Sequence, residues 1–311
     1  MVQIGFFRYL RLKVTVVLMR LITWWRQPKA NLSLPTGLER KAIRIPSRDP
    51  ARFINGWLYS PSADGIPSSA TKKPIIVNWH GSGFVLPSLG SDHDFCARVA
   101  IETGFVVLDA DYRKGPEVPF PGAVHDAEDT LKWVASQHQE FDLERVAVSG
   151  FSAGANLALV ASSYLKESYP TLNIQVTVAI YPPVDLSIDP EAKTVPHPIR
   201  PIPAAVARIF DACYIPDNSL RSDPRISPTF ADPTLFPEVV VILTCSGDTL
   251  APEGNAMAAK LQNGKRRVIN QTLEGVGHAF DKGVREGTHE WEQRELAYST
   301  SIRELKSGLG V

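Results

Sequence analysis

The chain is short of cysteine, has no net charge and contains no long uncharged apolar run. Its three cysteines, Cys96, Cys213 and Cys245, are odd in number and far apart in 311 residues. They make neither a disulfide framework nor a metal-ligand spacing, and read as buried or half-buried thiols in a reducing compartment. No metal site is expected. Thirty-three basic residues balance thirty-three acidic ones. A neutral chain has no field to gather phosphate backbones, so nucleic acid is not an expected partner. Near the N-terminus the run Val14 to Met19 is closed by Lys13 and Arg20. It is too short for a transmembrane helix or a signal-peptide core, so a cytoplasmic protein is expected, with membrane association left open. What is present is ordinary for a globular protein with a real core: 44% hydrophobic and 21% charged residues.

The first 38 residues stand apart. They hold six basic residues (Arg8, Arg11, Lys13, Arg20, Arg26, Lys29) and no acidic one. Projected at ~100° per residue of helix, Arg8, Arg11 and Arg26 fall together, while Lys13 and Arg20 fall well away. The polar stripe is untidy, which weakens a membrane-surface helix. Three readings are ranked in order: a helix covering an active site, an interfacial anchor giving peripheral membrane contact through residues 1–30, and a targeting segment. The sequons at Asn31 and Asn270 carry no weight without a signal peptide.

From Lys41 the pattern is that of strands and helices. Ala42 to Ile45 and Phe53 to Tyr59 read as two antiparallel strands bounded by turn residues. Ile75 to Trp79, Phe105 to Asp109, Val146 to Val148, Val176 to Tyr181, Val239 to Leu243 and Val268 to Leu273 are apolar or β-rich runs. Runs without alternation suit strands buried on both faces of a parallel sheet. Helical stretches lie between them at Asp126 to Gln137, Ala153 to Lys166, Asn255 to Gln262 and Trp291 to Leu305. This alternation argues for an α/β fold with a mostly parallel central sheet and helices on both faces. Between Pro182 and Pro237 there are 12 prolines in 56 residues, with one short helix expected at Ala204 to Ala212. So long an irregular segment in a compact domain reads as a cap over a site. The expected divisions are residues 1–38 as part of the cap, 39–181 and 238–311 as the two parts of the core, and 182–237 as the cap insertion.

The chemistry centres on Gly150-Phe151-Ser152-Ala153-Gly154, between an expected strand and an expected helix. A nucleophilic serine needs a tight strand-to-helix turn, and the flanking glycines let neighbouring backbones approach. It also needs a base, and the base an orienting carboxylate. Of the histidines after Ser152, His197 sits in the proline-rich segment and His289 on a charged helical face. His278 follows a strand in a glycine-rich loop. Asp248 directly follows the strand ending at Leu243, with Glu253 as the fallback. The glycine-rich stretch Trp79 to Phe84 follows another strand and can turn N–H groups toward the serine. As a dinucleotide loop it fails, because Leu86 occupies the third glycine position, so a nicotinamide cofactor is disfavoured and no cofactor is expected.

Taken together, His80-Gly81-Ser82-Gly83-Phe84, Asp111-Tyr112-Arg113, Pro119-Phe120-Pro121, Gly150 to Gly154, Tyr181-Pro182-Pro183, Asp248 and His278 resemble the hormone-sensitive-lipase-like branch of the α/β-hydrolase family. The resemblance implies an α/β-hydrolase fold and a serine carboxylic-ester hydrolase acting on a small-molecule ester. It implies Ser152 as nucleophile, His278 as base, Asp248 as its orienter, and an oxyanion hole from the N–H groups of Gly81, Ser82 and Ala153. His80 would fix its loop. Ser82 and Phe151 depart from the family pattern, which has glycine and aspartate there. Two alternatives stand beside hydrolysis: an acyltransferase, thioesterase or lactone-processing enzyme with the same triad, and a non-catalytic small-molecule receptor.

Overall fold

The computed structural model describes residues 5–26, 34–62 and 72–310. The Asn31 sequon and Lys29 lie outside the described residues. In chain order the elements are α1 (Phe6–Arg26), β1 (Leu38–Pro46), β2 (Phe53–Pro61), β3 (Lys73–Trp79), α2 (His93–Thr103), β4 (Val106–Ala110), α3 (Gly122–Ser136), β5 (Phe141–Phe151), α4 (Ala153–Val160), β6 (Ile174–Ile180), α5 (Ala204–Tyr214), β7 (Val239–Cys245), α6 (Ala251–Leu261), β8 (Arg267–Leu273) and α7 (His289–Gly308).

The strands form one eight-stranded sheet in the order β1-β2-β4-β3-β5-β6-β7-β8. β3 to β8 are parallel, and β1 and β2 add an antiparallel edge. Alternate residues of the apolar strands serve opposite faces. Ile75, Val77, Val146 and Val148 pack with Ala127 and Leu131 of α3 and Leu157 of α4. Ile76, Val107, Val176 and Val241 point the other way, to Phe95 and Val99 of α2 and Tyr298 and Ile302 of α7. That double burial is why these strands carry no polar alternation. The order reverses between β3 and β5, and an open α/β sheet leaves its crevice at such a reversal, at the C-terminal strand ends.

Two elements differ from the sequence expectation. α2 was not expected. Its apolar residues Phe95, Cys96, Val99 and Ala100 are spaced for one helical face, and Gly104 closes it at φ 75°. The helix from Ala153 does not run on unchanged: α4 gives way at Ala161 to one π turn and then one 3-10 turn ending at Ser168. All three cysteines are buried and unpaired.

Between β6 and β7 the chain forms α5 and four short 3-10 turns, with no strand. α1 lies against this segment and the loop after β3. Its Leu12 and Val16 are buried with Val85 and Cys213, and Ile209 and Phe210 of α5 pack on them. Arg20 and Lys13 both reach Glu117, and Arg20 also donates to the carbonyls of Val85 and Gly115. No helix among the described residues is long and apolar enough to cross a membrane.

Candidate active site

Ser152 follows β5 in a turn so tight that its φ is +51°. This region is strained for a residue with a Cβ, and it lifts the hydroxyl clear of the sheet. The turn demands glycine on both sides. A Cβ on Gly150 would meet the Gly154 backbone at 2.3 Å, and one on Gly154 would meet the Trp79 carbonyl oxygen at 1.8 Å. The elbow and the end of β3 are therefore pressed together, which brings the loop of residues 80–84 beside Ser152.

The structure brings Ser152, His278 and Asp248 together. His278 Nε2 is 2.9 Å from Ser152 Oγ, and His278 Nδ1 is 2.7 Å from Asp248 Oδ2. Asp248 is 1% exposed and Ser152 9%, so the chain of contacts is almost dry. The other Asp248 oxygen accepts from the Leu250 N–H at 3.1 Å. With Asp248 accepting at Nδ1, the imidazole keeps Nε2 free of its proton and aimed at the hydroxyl. The Tyr181 ring packs against His278 with centroids 4.8 Å apart.

The remaining histidines and the fallback acid do not join this cluster. His197 is exposed. His289 Nε2 donates to the Glu274 carbonyl at 2.7 Å. Glu253 accepts from the N–H groups of Val184 and Asp185 and pairs with Lys193, pinning the segment after β6.

The loop of residues 80–84 explains why serine is tolerated where glycine is usual. The left-handed positions are Gly83 and Phe84, at φ 56° and 59°, and not Ser82. Ser82 Oγ points into the scaffold, 2.7 Å from the Tyr112 hydroxyl, and accepts from the Phe84 N–H. Tyr112 in turn donates to the His80 carbonyl at 2.6 Å. Among the described residues no protein acceptor engages the backbone N–H groups of Gly81, Ser82 or Ala153. His80 is fully buried, stacks on Tyr112 and contacts Asp111. Burial would raise the Asp111 carboxyl, but the His80 hydrogen bond and the Lys114 charge hold it well below the usual range.

Phe151 stands where the family resemblance implies a charge, and its surroundings are aromatic. It is fully buried among Phe95, Tyr181 and Tyr298, and Lys282 Nζ sits 3.8 Å above its face. Lys282 is paired instead with Asp92 at 2.7 Å and Asp281 at 2.9 Å. Asp281 accepts from the hydroxyls of Tyr181 and Tyr298. Burial would raise Asp281, but Lys282 and these hydroxyls hold it below its ordinary value. Among the described residues Asp109 has no cation of its own. Burial, reinforced by the neighbouring Asp92 charge, pushes its carboxyl up to about 8. Sequence reasoning missed this network, since its members are scattered over Asn78, Asp92, Asp109, Tyr181, Asp281 and Lys282. The Asp281-Lys282 pair three residues after His278 was the one local signal.

An apolar pocket opens beside Ser152. Phe84, Leu186, Ile202, Phe210, Tyr214 and Leu250 supply much of its wall, and Lys193 and Asp211 its polar points. Four of these six wall residues and both polar ones come from 182–237. Ile199 of the same segment is wedged between the loops that carry Asp248 and His278. Its N–H donates to the Gly247 carbonyl at 2.9 Å, and its own carbonyl oxygen lies where a Cβ on Gly277 would sit, at 1.9 Å.

A buried serine–histidine–aspartate line at the strand ends of a mostly parallel sheet, with an elbow at the serine, is the construction of the α/β hydrolases. A family model described as an alpha/beta hydrolase fold matches residues 76–282. The chain belongs to that family, in its hormone-sensitive-lipase-like branch. It is 27% identical over 254 residues to Lipase 2 of Moraxella sp. (strain TA144), covering 71% of this chain and 58% of that protein. It is 30% identical over 241 residues to the carboxylic ester hydrolase LipN of Mycobacterium tuberculosis, covering 74% of this chain and 62% of that protein. Among solved structures, the esterase of Pyrobaculum calidifontis superposes with a TM-score of 0.72 at 27% identity, covering 96% of this chain and 92% of that one.

Proposed function

We propose that the protein is a serine carboxylic-ester hydrolase working through an acyl-enzyme. Ser152 attacks the ester carbonyl while His278 Nε2 takes its proton. Asp248 holds the ring and stabilises the imidazolium that forms. The N–H groups of Gly81, Ser82 and Ala153 receive the developing oxyanion, a role worth about 10²–10³ in rate per donor. His278 then protonates the leaving alcohol, and a water activated by the same ring resolves the acyl-enzyme. The observation that carries this reading is the pair of contacts on His278, 2.9 Å to Ser152 Oγ and 2.7 Å to Asp248 Oδ2. Residues 182–237 act as the cap that selects the substrate.

The substrate is a compact hydrophobic ester. The pocket's cavity volume is about 90 Å³. Turnover of aryl esters of graded acyl length should therefore peak at short to medium chains and fall as the chain outgrows the pocket. Ser152→Ala should abolish both turnover and labelling by a fluorophosphonate probe. A wild-type protein that neither labels nor turns over any such ester would sink the proposal. Adding a competing alcohol or thiol during turnover separates hydrolysis from acyl transfer.

A further inference from the structure

The sequence left α1 with an untidy charge pattern, and the structure removes the untidiness. Lys13 and Arg20, the two cations out of line, turn inward to Glu117. With them on the inner face lie the buried Leu12 and Val16, covered by Val85, Ile209, Phe210 and Cys213. The opposite face is covered by nothing in the described chain. It presents Phe7 at 85% exposure and Leu18 at 57%, with Leu10, Val14, Val17 and Leu21 beside them. Arg8 and Arg11 are exposed along one shoulder of that face. A contiguous apolar stripe of this kind on a protein surface marks a contact site.

We propose that α1 docks the protein flat onto an anionic lipid surface. The charge pattern selects this occupant. The first 38 residues carry six cations and no anion. Lys13 and Arg20 are already paired with Glu117, but Arg8 and Arg11 are exposed beside the apolar face with no ion pair among the described residues, and a second copy packed face to face across a two-fold axis would bring those charges toward their own image. An anionic bilayer supplies the missing charge and takes up the apolar face together. The helix lies in the interface and does not cross it, since no described helix is long and apolar enough to span. Its inner face rests on α5, whose Phe210 lines the pocket, so the lipid-facing side is also the side of the pocket wall. Docking depends on α1 alone, and it stands or falls separately from ester hydrolysis.

The test is co-sedimentation of the full chain with vesicles of phosphatidylcholine alone and of phosphatidylcholine with phosphatidylglycerol. Binding to the mixed vesicles is expected, weaker binding to the neutral ones, and partial release by salt. Val14→Ser/Leu18→Ser/Leu21→Ser should lower partitioning about tenfold or more without changing the circular dichroism or the melting midpoint. Arg8→Gln/Arg11→Gln should erase the preference for phosphatidylglycerol. Failure of the wild type to sediment, or undiminished binding by the triple serine variant, overturns the proposal. A wild-type dimer that the triple variant converts to a monomer, with no vesicle binding by either, assigns the face to a second copy instead.

Discussion

Ser152 and Ile199 show how single positions set the geometry. The serine occupies a left-handed backbone that its neighbours must enforce, and glycines at 150 and 154 are what allow them to press in. Ile199 acts at longer range, as a spacer between the loops bearing Asp248 and His278. Gly277→Ala puts a Cβ 1.9 Å from the Ile199 carbonyl oxygen, so one of the two loops must move. A displacement of ~1 Å at a reacting group costs about 10²-fold. We therefore expect kcat on an aryl ester to fall about 10²-fold with KM changed much less, readable by steady-state kinetics. Gly247→Ala meets only the Ile199 side chain, at 2.7 Å, and should cost less. The residues of the site were largely legible in the sequence, because each stands at a strand end beside glycine. Ile199 was not: its role depends on a fold-back from a proline-rich stretch that no local pattern announces.

At the scale of elements, α1 illustrates which interactions hold a peripheral helix. Burying an aliphatic side chain contributes about 1.5–3 kcal/mol, so Leu12 and Val16 carry most of the attachment. Partly exposed ion pairs contribute only about 0–1 kcal/mol each. Burial would raise the Glu117 carboxyl, but hydrogen bonds from Arg20 and Lys13 bring it down to about 2. A depressed acid stabilises above its unfolded value and loses that contribution as pH falls through the folded one. The Glu117 contribution is thus intact above pH ~4.5 and fades toward pH 2. Val16→Asp should release α1, seen as loss of amide-exchange protection over residues 6–26, whereas Glu117→Gln should only speed that exchange modestly. Sequence reading placed the strands well because double burial leaves long apolar runs. It passed over α2, a stripe of only about three turns backed by the charged face of Asp94, Arg98 and Glu102, and merged α4 with the π and 3-10 turns after it, since over so few residues these windings share nearly one side-chain pattern.

For the molecule as a whole, the buried Asp109 beside Asn78 and Asp92 adds a pH dependence of its own. Burial and the Asp92 charge push the Asp109 carboxyl up to about 8, which favours its protonated form in the folded state. In the unfolded chain it ionises near pH 4. Between those values the folded state must keep a proton that the unfolded state gives up, so stability declines as pH rises from ~4 to ~8 and levels off beyond. Asp109→Asn abolishes that slope, and any hydrogen bond it loses shifts every pH alike. The fall in melting temperature between pH 5 and pH 8 should shrink by at least about 2 °C, a change of roughly 1 kcal/mol, in a thermal melt of the variant against wild type. An unchanged difference would mean that Asp109 is not the group responsible. None of this was legible in the sequence, because the carboxylates meet only once β3, β4 and the loop after His278 are assembled.

The segment between β6 and β7 lines the cavity, yet it supplies neither the elbow nor the strands that aim it. On the proposed function, selectivity and reactivity are carried on separable stretches of polypeptide. A chimera that replaces this stretch with the corresponding one from a relative should inherit the donor's preference among esters while keeping the recipient's acylating machinery. The graft would have to preserve two anchor points, the lysine that meets Glu253 and the isoleucine at 199, because through the latter the exchanged piece still touches the aspartate and imidazole loops.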